Sequence, residues 1–126
     1  MDNPKKINTK ELGKLGEDKA VEFLILNGYK ILERNWRFRK AELDIICQKD
    51  NILVFVEVKA RSYNFFGAPE ESISVYKENL IIDAASQYMV LHNYEWEIRF
   101  DIISILFEKN KAPLIYHYED AFFPGL

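Results

Sequence analysis

The chain has 126 residues, of which 48% are hydrophobic and 29% are charged, and its formal net charge is -3. These values fit one globular domain with a substantial core, and we treat residues 1–126 as a single unit. One cysteine excludes an intramolecular disulfide and a cysteine-rich metal cluster. The first fifteen residues are polar and charged, and no apolar run approaches the roughly 18 residues that span a membrane. We therefore expect a cytoplasmic protein without a membrane partner.

The chain begins with a segment that predicts a loose basic tail over residues 1–8. A helical pattern follows from Thr9 to about Asn27. Its N-cap would be Asn8 or Thr9, and Gly28 is the stop signal.

Glu17 is the unusual residue of this first helix. The apolar residues of the helix face are Ala20, Val21 and Leu24. Glu17 precedes them by three, four and seven residues, so its side chain belongs to the same face. It either serves a site or is an N-terminal acid that reaches solvent. Gly13 and Gly16 either weaken the first turns or allow another backbone to approach closely.

A β-hairpin is predicted over residues 41–61, after a basic, edge-like first strand over residues 29–38. Its turn is the dipeptide Asp50-Asn51, between two apolar runs of strand-like composition. A two-residue loop at this place pairs Lys49 with Ile52 and fixes the register of the whole hairpin.

That register brings charged residues together on one face of the hairpin. Asp44 lies opposite Glu57 and Glu42 lies opposite Lys59, all on one side of the strands. The other face is entirely apolar: Leu43, Ile45, Cys47, Val54, Val56 and Val58. Nearer the turn the charged face is apolar too, which is typical of a central sheet covered on both sides. Carboxylates that face each other there are unfavourable unless a hard divalent cation offsets their charge.

Charge is distributed unevenly along the chain. Residues 1–61 hold 13 Lys and Arg against 10 Asp and Glu, net +3, whereas residues 62–126 hold 4 against 10, net -6. The basic residues just before the acidic cluster are Lys30, Arg34, Arg37, Arg39 and Lys40. A basic patch beside a metal site suits a phosphate-backbone substrate, but an ordinary solvated face has the same composition.

A second helix is predicted to start at Pro69, or after a Ser72 cap, and to end near His92. Its buried stripe comprises Leu80, Ile81, Ala84, Ala85, Tyr88 and Leu91. Lys77 lies on this stripe near its start. It either extends its ammonium group to solvent or directs a cation at the acidic cluster.

Two more strands complete the chain, over residues 95–107 and 114–118. In the first of them an apolar row alternates with a charged row: Trp96, Ile98, Phe100 and Ile102 against Glu95, Glu97, Arg99 and Asp101. The Phe65-Phe66 loop and the aromatic tail over residues 121–126 are weak candidates for a homodimer interface. Neither His92 nor His117 shows ligand spacing, and we assign them no role.

A resemblance to known proteins emerges at the acidic hairpin. Asp44, twelve intervening residues and then Glu57-Val58-Lys59 resemble the D…(E/D)xK signature of the PD-(D/E)XK nuclease superfamily. Over about residues 9–123 the chain resembles the YraN family, a little-characterised bacterial family regarded as endonuclease-like. The residues that carry this wider resemblance are Gly16-Glu17, Ala20, Phe23-Leu24, Gly28-Tyr29, Ile31-Leu32, Asn35, Arg37, Glu42 to Ile46, Phe55 to Arg61, Pro69, Lys77 and Arg99-Phe100-Asp101.

The resemblance implies an α/β fold: a three-layer α/β/α restriction-endonuclease-like core around a mixed central sheet, here in the order αβββαββ. It also implies that Glu17 reaches the site from the first helix. Two departures stand out. Ala41 occupies a position where this family usually has glycine, and Leu43 replaces the superfamily's proline before Asp44.

The residues then divide into predicted roles. The catalytic candidates are Asp44, Glu57, Lys59 and Glu17. A Mg²⁺ or Mn²⁺ ion would be held by Asp44, Glu57, Glu42 and the carbonyl of Val58. The substrate-binding candidates are Arg37, Arg39, Arg61 and Lys77. Lys59 would orient the attacking water or stabilise charge on the phosphoryl group, and Glu42 is either a ligand or the partner of Lys59.

The function predicted from these roles is metal-dependent cleavage of DNA, with branched or damaged DNA as the substrate class. One alternative is a catalytically weak or inactive module that binds nucleic acid or protein and retains the nuclease fold. A second alternative is a buried ion-pair cluster with only a structural role.

Overall fold

The structure, a computed structural model, describes residues 8–62 and 73–122. Within these ranges two helices and five strands follow one another in the predicted order αβββαββ. The elements are α1 (Thr9–Leu26), β1 (Lys30–Phe38), β2 (Ala41–Lys49), β3 (Ile52–Ser62), α2 (Val75–Leu91), β4 (Ile98–Phe107) and β5 (Leu114–Tyr118). Neither of these helices combines the length and the apolar character needed to cross a membrane.

The five strands form one mixed sheet in the order β1-β2-β3-β4-β5. Of the five strands described, only β3 and β4 run parallel to each other, and α2 lies in the connection between them. One core lies between the sheet and α1, which contributes Ala20 and Leu24. The other lies between the sheet and α2, which contributes Ile81 and Tyr88. The predicted three-layer α/β/α arrangement is therefore confirmed.

The helix boundaries agree with the predictions except at the start of α2. Asn8 caps α1, since its side chain accepts the Glu11 amide, and Gly28 follows the helix at a φ of +87°. In α2 the N-cap is Ser74, so the predicted starts at Pro69 and after Ser72 are wrong for the helix that the structure describes. Leu91, predicted to be buried, is exposed at the end of α2.

The strand β4 also differs from its prediction. It begins at Ile98 rather than at residue 95, and Trp96 is 71% exposed. Within the strand the predicted alternation is confirmed, because Ile98 and Phe100 pack in the α2-side core and Arg99 bonds Asp101 on the opposite face, yet residues 100–105 are all buried. The reason is that β4 lies between two other strands and near the middle of the sheet, where both of its faces are covered. Asp101 is consequently buried without solvent exposure.

The β2–β3 hairpin has the predicted turn and register. Asp50 and Asn51 both take a positive φ, 52° and 63°, as a tight hairpin turn requires. Five residue pairs follow, from Lys49–Ile52 to Ile45–Val56. The ladder ends there, so the predicted cross-strand pairs of Asp44 with Glu57 and of Glu42 with Lys59 are not part of it.

Alternation along β2 breaks at Asp44. Leu43 packs in the α2-side core, whereas Ile45 packs in the α1-side core, although two residues apart they should share a face. The prediction that Leu43 lies on the same face as Ile45 and Cys47 is therefore wrong. The neighbouring strand changes face at the same level, because Asn35 has a φ of 54° between the pairs Arg34–Ile45 and Trp36–Leu43.

Some predicted features lie outside the described residues. These are the tail over residues 1–7, the Phe65-Phe66 loop with Pro69, and residues 123–126. Of the aromatic tail, Phe122 is described; it is buried and its ring stacks on Phe100 with centroids 4.9 Å apart.

Candidate functional site

Asp44 lies where β2 and β3 stop pairing. Its Oδ2 accepts a hydrogen bond of 2.9 Å from the backbone amide of Val58, two residues beyond the last paired residue of β3. Burial and the neighbouring charge of Glu57 raise the pKa of Asp44 to about 8, and the Val58 amide partly offsets this. The carboxyl group is therefore held in a place that disfavours its charged form.

Glu57 is the most buried carboxylate at this end of the sheet, with 4% of the residue exposed. Its Oε2 lies 3.0 Å from the ammonium nitrogen of Lys77, which belongs to α2. Its Oε1 is buried and has no hydrogen-bond partner among the described residues. Burial raises the pKa of Glu57, and the charge of Lys77 opposes that change.

A divalent cation fits this donor set. Glu57 Oε1 is an unsatisfied buried oxygen beside a second carboxylate, and such a group calls for a partner. The amide and carbonyl of one strand residue point to the same side, so the Val58 carbonyl faces the same gap as its amide. Within the described ranges no three His, Cys, Asp or Glu side chains converge on one point. Mg²⁺ in proteins often takes only one or two carboxylates and keeps several waters.

The helix α1 brings Glu17 close to the sheet. Gly16 makes this possible, because a Cβ at that position would lie 2.7 Å from the Cβ of Ala60. Glu17 is buried, and its Oε1 accepts hydrogen bonds of 2.9 Å from Arg34 Nε and from Asn35 Nδ2. Asn35 can direct its amide group there because it adopts the left-handed conformation, which asparagine tolerates better than most residues.

A cleft of about 680 Å³ lies between α1 and the β1–β2 side of the sheet and opens beside Asp44. Its basic lining residues are Lys10, Lys14, Arg34 and Arg37, and its acidic ones are Glu17, Asp18, Glu42 and Asp44. Arg34 is neutralised by Glu17 and Asp18, which lie 2.9 and 2.6 Å from its nitrogens. Arg37 lies 2.7 Å from Glu42.

The structure separates the candidate residues into two faces. Glu42 and Glu17 line the cleft under α1, whereas Glu57 contacts α2 through Lys77, with Asp44 between them. The predicted single face is therefore wrong for Glu42, because the break in alternation at Asp44 turns it to the other side. The described ion-pair partner of Glu42 is Arg37.

The remaining substrate-binding candidates are placed differently. Arg39 lies over the Phe38 ring, 5.1 Å from its centroid, and lines a separate pocket of about 210 Å³ beside α2. It is therefore not part of the cleft. Lys59 and Arg61 follow Glu57 on the same face of β3 and align with Ser104 and Leu106 of β4. Ala41 has no positive φ, so the backbone there needs no glycine.

Sequence reasoning missed Lys10 and Lys14. They precede Glu17 by seven and three residues, which is the helical spacing that placed Glu17 on its inner face. The same spacing, counted toward the N-terminus, was the signal that could have found them. Within the described ranges, neither lysine forms an ion pair.

A second charged cluster was also missed, around Asp101. Arg99 donates two hydrogen bonds of 2.8 Å to this carboxylate, and His117 Nε2 lies 2.8 Å from its Oδ2. The amide of Asp120 donates a further bond of 3.0 Å. Burial alone would raise the pKa of Asp101, but these donors hold it below its ordinary value. An aspartate within an apolar strand was the available signal, whereas nothing in the spacing pointed to His117.

Comparisons with known proteins agree with the resemblance found in the motifs. The family described as "Uncharacterised protein family UPF0102" matches residues 16–105. The "UPF0102 protein FP2501" of Flavobacterium psychrophilum is 50% identical over 113 residues, which cover 90% of this chain and 94% of that protein. A UPF0102 protein of Bacteroides thetaiotaomicron is 45% identical, with 92% and 95% covered. The chain belongs to the UPF0102 family, which is the YraN family.

Proposed function

We propose that this protein is a metal-dependent nuclease that hydrolyses phosphodiester bonds in DNA, with branched or damaged DNA as its substrate class. The observation that carries the proposal is a buried oxygen of Glu57 that has no hydrogen-bond partner in the described part of the chain; it lies beside Asp44, where two central strands separate. A folded protein rarely keeps such a group without a use for it. The adjoining cleft supplies basic side chains for a polyanion.

Asp44, Glu57 and the Val58 carbonyl are the groups that would hold Mg²⁺ or Mn²⁺. When bound, the ion supplies Lewis-acid polarisation of a phosphoryl oxygen and lowers the pKa of a water. Lys59 follows Glu57 on the same face and positions the attacking water or the phosphoryl group. Glu17, fixed by Arg34 and Asn35, adds a further carboxylate to the cleft.

Lys10 and Lys14 are the best candidates for contacts with the phosphate backbone. They lie one helical turn apart on α1 and line the cleft without an ion pair in the described part of the chain. Arg34 and Arg37 line the same cleft but are already paired with acidic residues. The phosphates of a bound nucleic acid would therefore contact the two lysines at a lower free-energy cost than the arginines, because these contacts break no ion pair of the described residues.

The test is a cleavage assay with flap, junction, single-stranded and duplex DNA in Mg²⁺ or Mn²⁺. We expect cleavage by the wild-type protein, and a loss of about 100-fold or more in Asp44→Asn, Glu57→Gln and Lys59→Ala. Asp83→Asn, an exposed aspartate of α2, is the matched control and should cleave normally. No cleavage of any substrate, or equal cleavage by the three variants, would refute the proposal.

The second candidate is a binding module that retains the fold without the chemistry. The observation in its favour is that the cleft has a basic lining, Lys10 and Lys14 among it, which can hold a polyanion without a metal ion. This candidate predicts that Asp44→Asn preserves the biological role, whereas charge reversal at Arg34, Arg37 and Arg39 abolishes it.

Cutting of both strands of a duplex would further call for a homodimer, which light scattering at assay concentration detects.

A further inference from the structure

We propose that Lys77 is a built-in counter-ion of Glu57 that a divalent cation has to displace. In this role the lysine lowers the affinity of the site for metal and becomes available to a substrate phosphate once metal is bound. The inference rests on the metal site of the proposed function, and it concerns how that site is filled rather than the reaction.

The ion pair has two unequal members. The Lys77 nitrogen lies 3.0 Å from Glu57 Oε2, and the two side chains are 54% and 5% exposed. The lysine can therefore move into water at little cost, whereas the carboxylate cannot. Since the other oxygen of Glu57 has no partner among the described residues, the pair leaves this carboxylate half satisfied.

The N-terminal cap of α2 fixes the backbone position of Lys77. Ser74 caps α2, and its Oγ accepts the Lys77 amide at 3.2 Å, so the lysine emerges from the first turn of the helix. From there its flexible side chain reaches Glu57 across the α2 side of the sheet. Once released, its ammonium group remains tethered at the rim of the acidic cluster.

A metal ion and this ammonium group compete for the same carboxylate. Because both are positive, a cation bound at Glu57 repels Lys77 from its present position. A phosphate is then the natural new partner for the lysine. Metal and polyanion should consequently bind with positive coupling, and linkage makes this coupling reciprocal.

The experiment measures Mn²⁺ binding to the full chain by calorimetry, without DNA. Lys77→Met keeps the apolar stem and removes the charge, and we expect it to bind Mn²⁺ about tenfold more tightly than the wild type. Lys77→Arg retains the charge and should restore the weaker affinity. Lys19→Met is the matched control, because Lys19 also pairs with a glutamate, at 3.5 Å, but on the outer surface of α1. If the methionine variant does not fold, Lys77→Gln takes its place.

Unchanged or weaker Mn²⁺ binding by Lys77→Met would overturn the inference, and so would the absence of binding in both proteins. If Lys77 has a purely structural role, Lys77→Met should lower the melting temperature without increasing the affinity for Mn²⁺. If Lys77→Met tightens Mn²⁺ binding but the wild type cleaves no DNA, the inference stands and the nuclease proposal fails. Metal-dependent cleavage with equal Mn²⁺ affinities would instead overturn the inference and support the nuclease proposal.

Discussion

The carboxylate of Asp44 accepts a hydrogen bond of 2.9 Å from the backbone amide of Val58, two residues beyond the last paired residue of β3. A side chain thus satisfies a backbone donor at the point where the two strands separate. This hydrogen bond holds Asp44 between the faces of the sheet, within reach of the cleft on one side and of Glu57 on the other. The pH dependence of stability and the binding of metal should both depend on this arrangement.

Asp44 should make the stability of the metal-free protein fall as the pH rises. Its folded-state pKa of about 8 lies above the ordinary value of 3.8, so between these values the folded state binds more protons than the unfolded chain. Its contribution is therefore fully present below about pH 4 and is lost as the pH rises through 8, an effect on the order of 6 kcal/mol. Thermal unfolding in EDTA at several pH values measures it.

The comparison for this prediction is Asp44→Asn, whose stability should depend less on pH between 5 and 8. Asp83→Asn, at an exposed position of α2, should follow the wild type. Mn²⁺ should raise the wild-type melting temperature more at pH 8 than at pH 6, because the bound carboxylate must be deprotonated. Parallel profiles for the wild type and Asp44→Asn would show that the Asp44 carboxyl group is not perturbed.

Gly16 and Gly13 should respond in opposite ways to alanine. In Gly16→Ala the new Cβ would meet the Ala60 Cβ at 2.7 Å and push α1 away from β3, at a cost of about 1–3 kcal/mol. In Gly13→Ala no atom of the described residues lies within 4 Å of the new Cβ, so the better helix propensity should stabilise the protein by about 0.5–1 kcal/mol. Chemical denaturation of both variants measures the difference. A stabilised Gly16→Ala protein would mean that the two elements do not pack this closely.

Lys10→Ala/Lys14→Ala should weaken DNA binding without changing the fold. The loss of two phosphate contacts should lower the slope of log K against log salt by about 2. Binding is measured by fluorescence anisotropy in an Asp44→Asn background, so that cleavage does not interfere. The double variant Lys109→Ala/Lys111→Ala, at the exposed β4–β5 turn, is the matched control. Equal salt slopes in the two double variants would place the backbone contacts elsewhere.

Asp101→Asn should destabilise the protein strongly but leave its Mn²⁺ affinity unchanged. The buried carboxylate is bonded to Arg99, His117 and the Asp120 amide, and breaking such a network costs about 3–5 kcal/mol. Because its pKa is lowered, this contribution is present above the unfolded pKa of about 4 and is lost as the pH falls through the folded value. Urea unfolding at pH 7 and pH 3 should therefore show a smaller difference at pH 3. A changed Mn²⁺ affinity would connect Asp101 to the metal site.

Local signals in the sequence were enough for much of the fold. The Asp50-Asn51 turn and the alternation beside it gave the hairpin register, because a two-residue loop leaves only one pairing. Asn8 and Gly28 gave the limits of α1, because capping depends on residues within one turn. The starts of α2 and β4 were placed wrongly, because packing rather than local preference decides where those elements begin.

Only part of the candidate site could be predicted from such local signals. Glu17, Asp44, Glu57 and Lys77 were identified from the faces to which their spacing assigns them, and the structure brings them to one end of the sheet. The partners of Glu42 and Asp101 were not identified. Arg37 reaches Glu42 from β1 and His117 reaches Asp101 from β5, and strand pairings that were not predicted decide both contacts.

The sequence by itself determined which residues are chemically able to act, since the acidic hairpin and the family resemblance follow from residue types and short spacings. Only the tertiary structure decided how they face one another. At Asn35 and Asp44 two neighbouring strands change face together, which turns Glu42 to the α1 side and leaves Glu57 with Lys77 on the α2 side. Period-two alternation cannot reveal such a break, because it is a joint property of two strands.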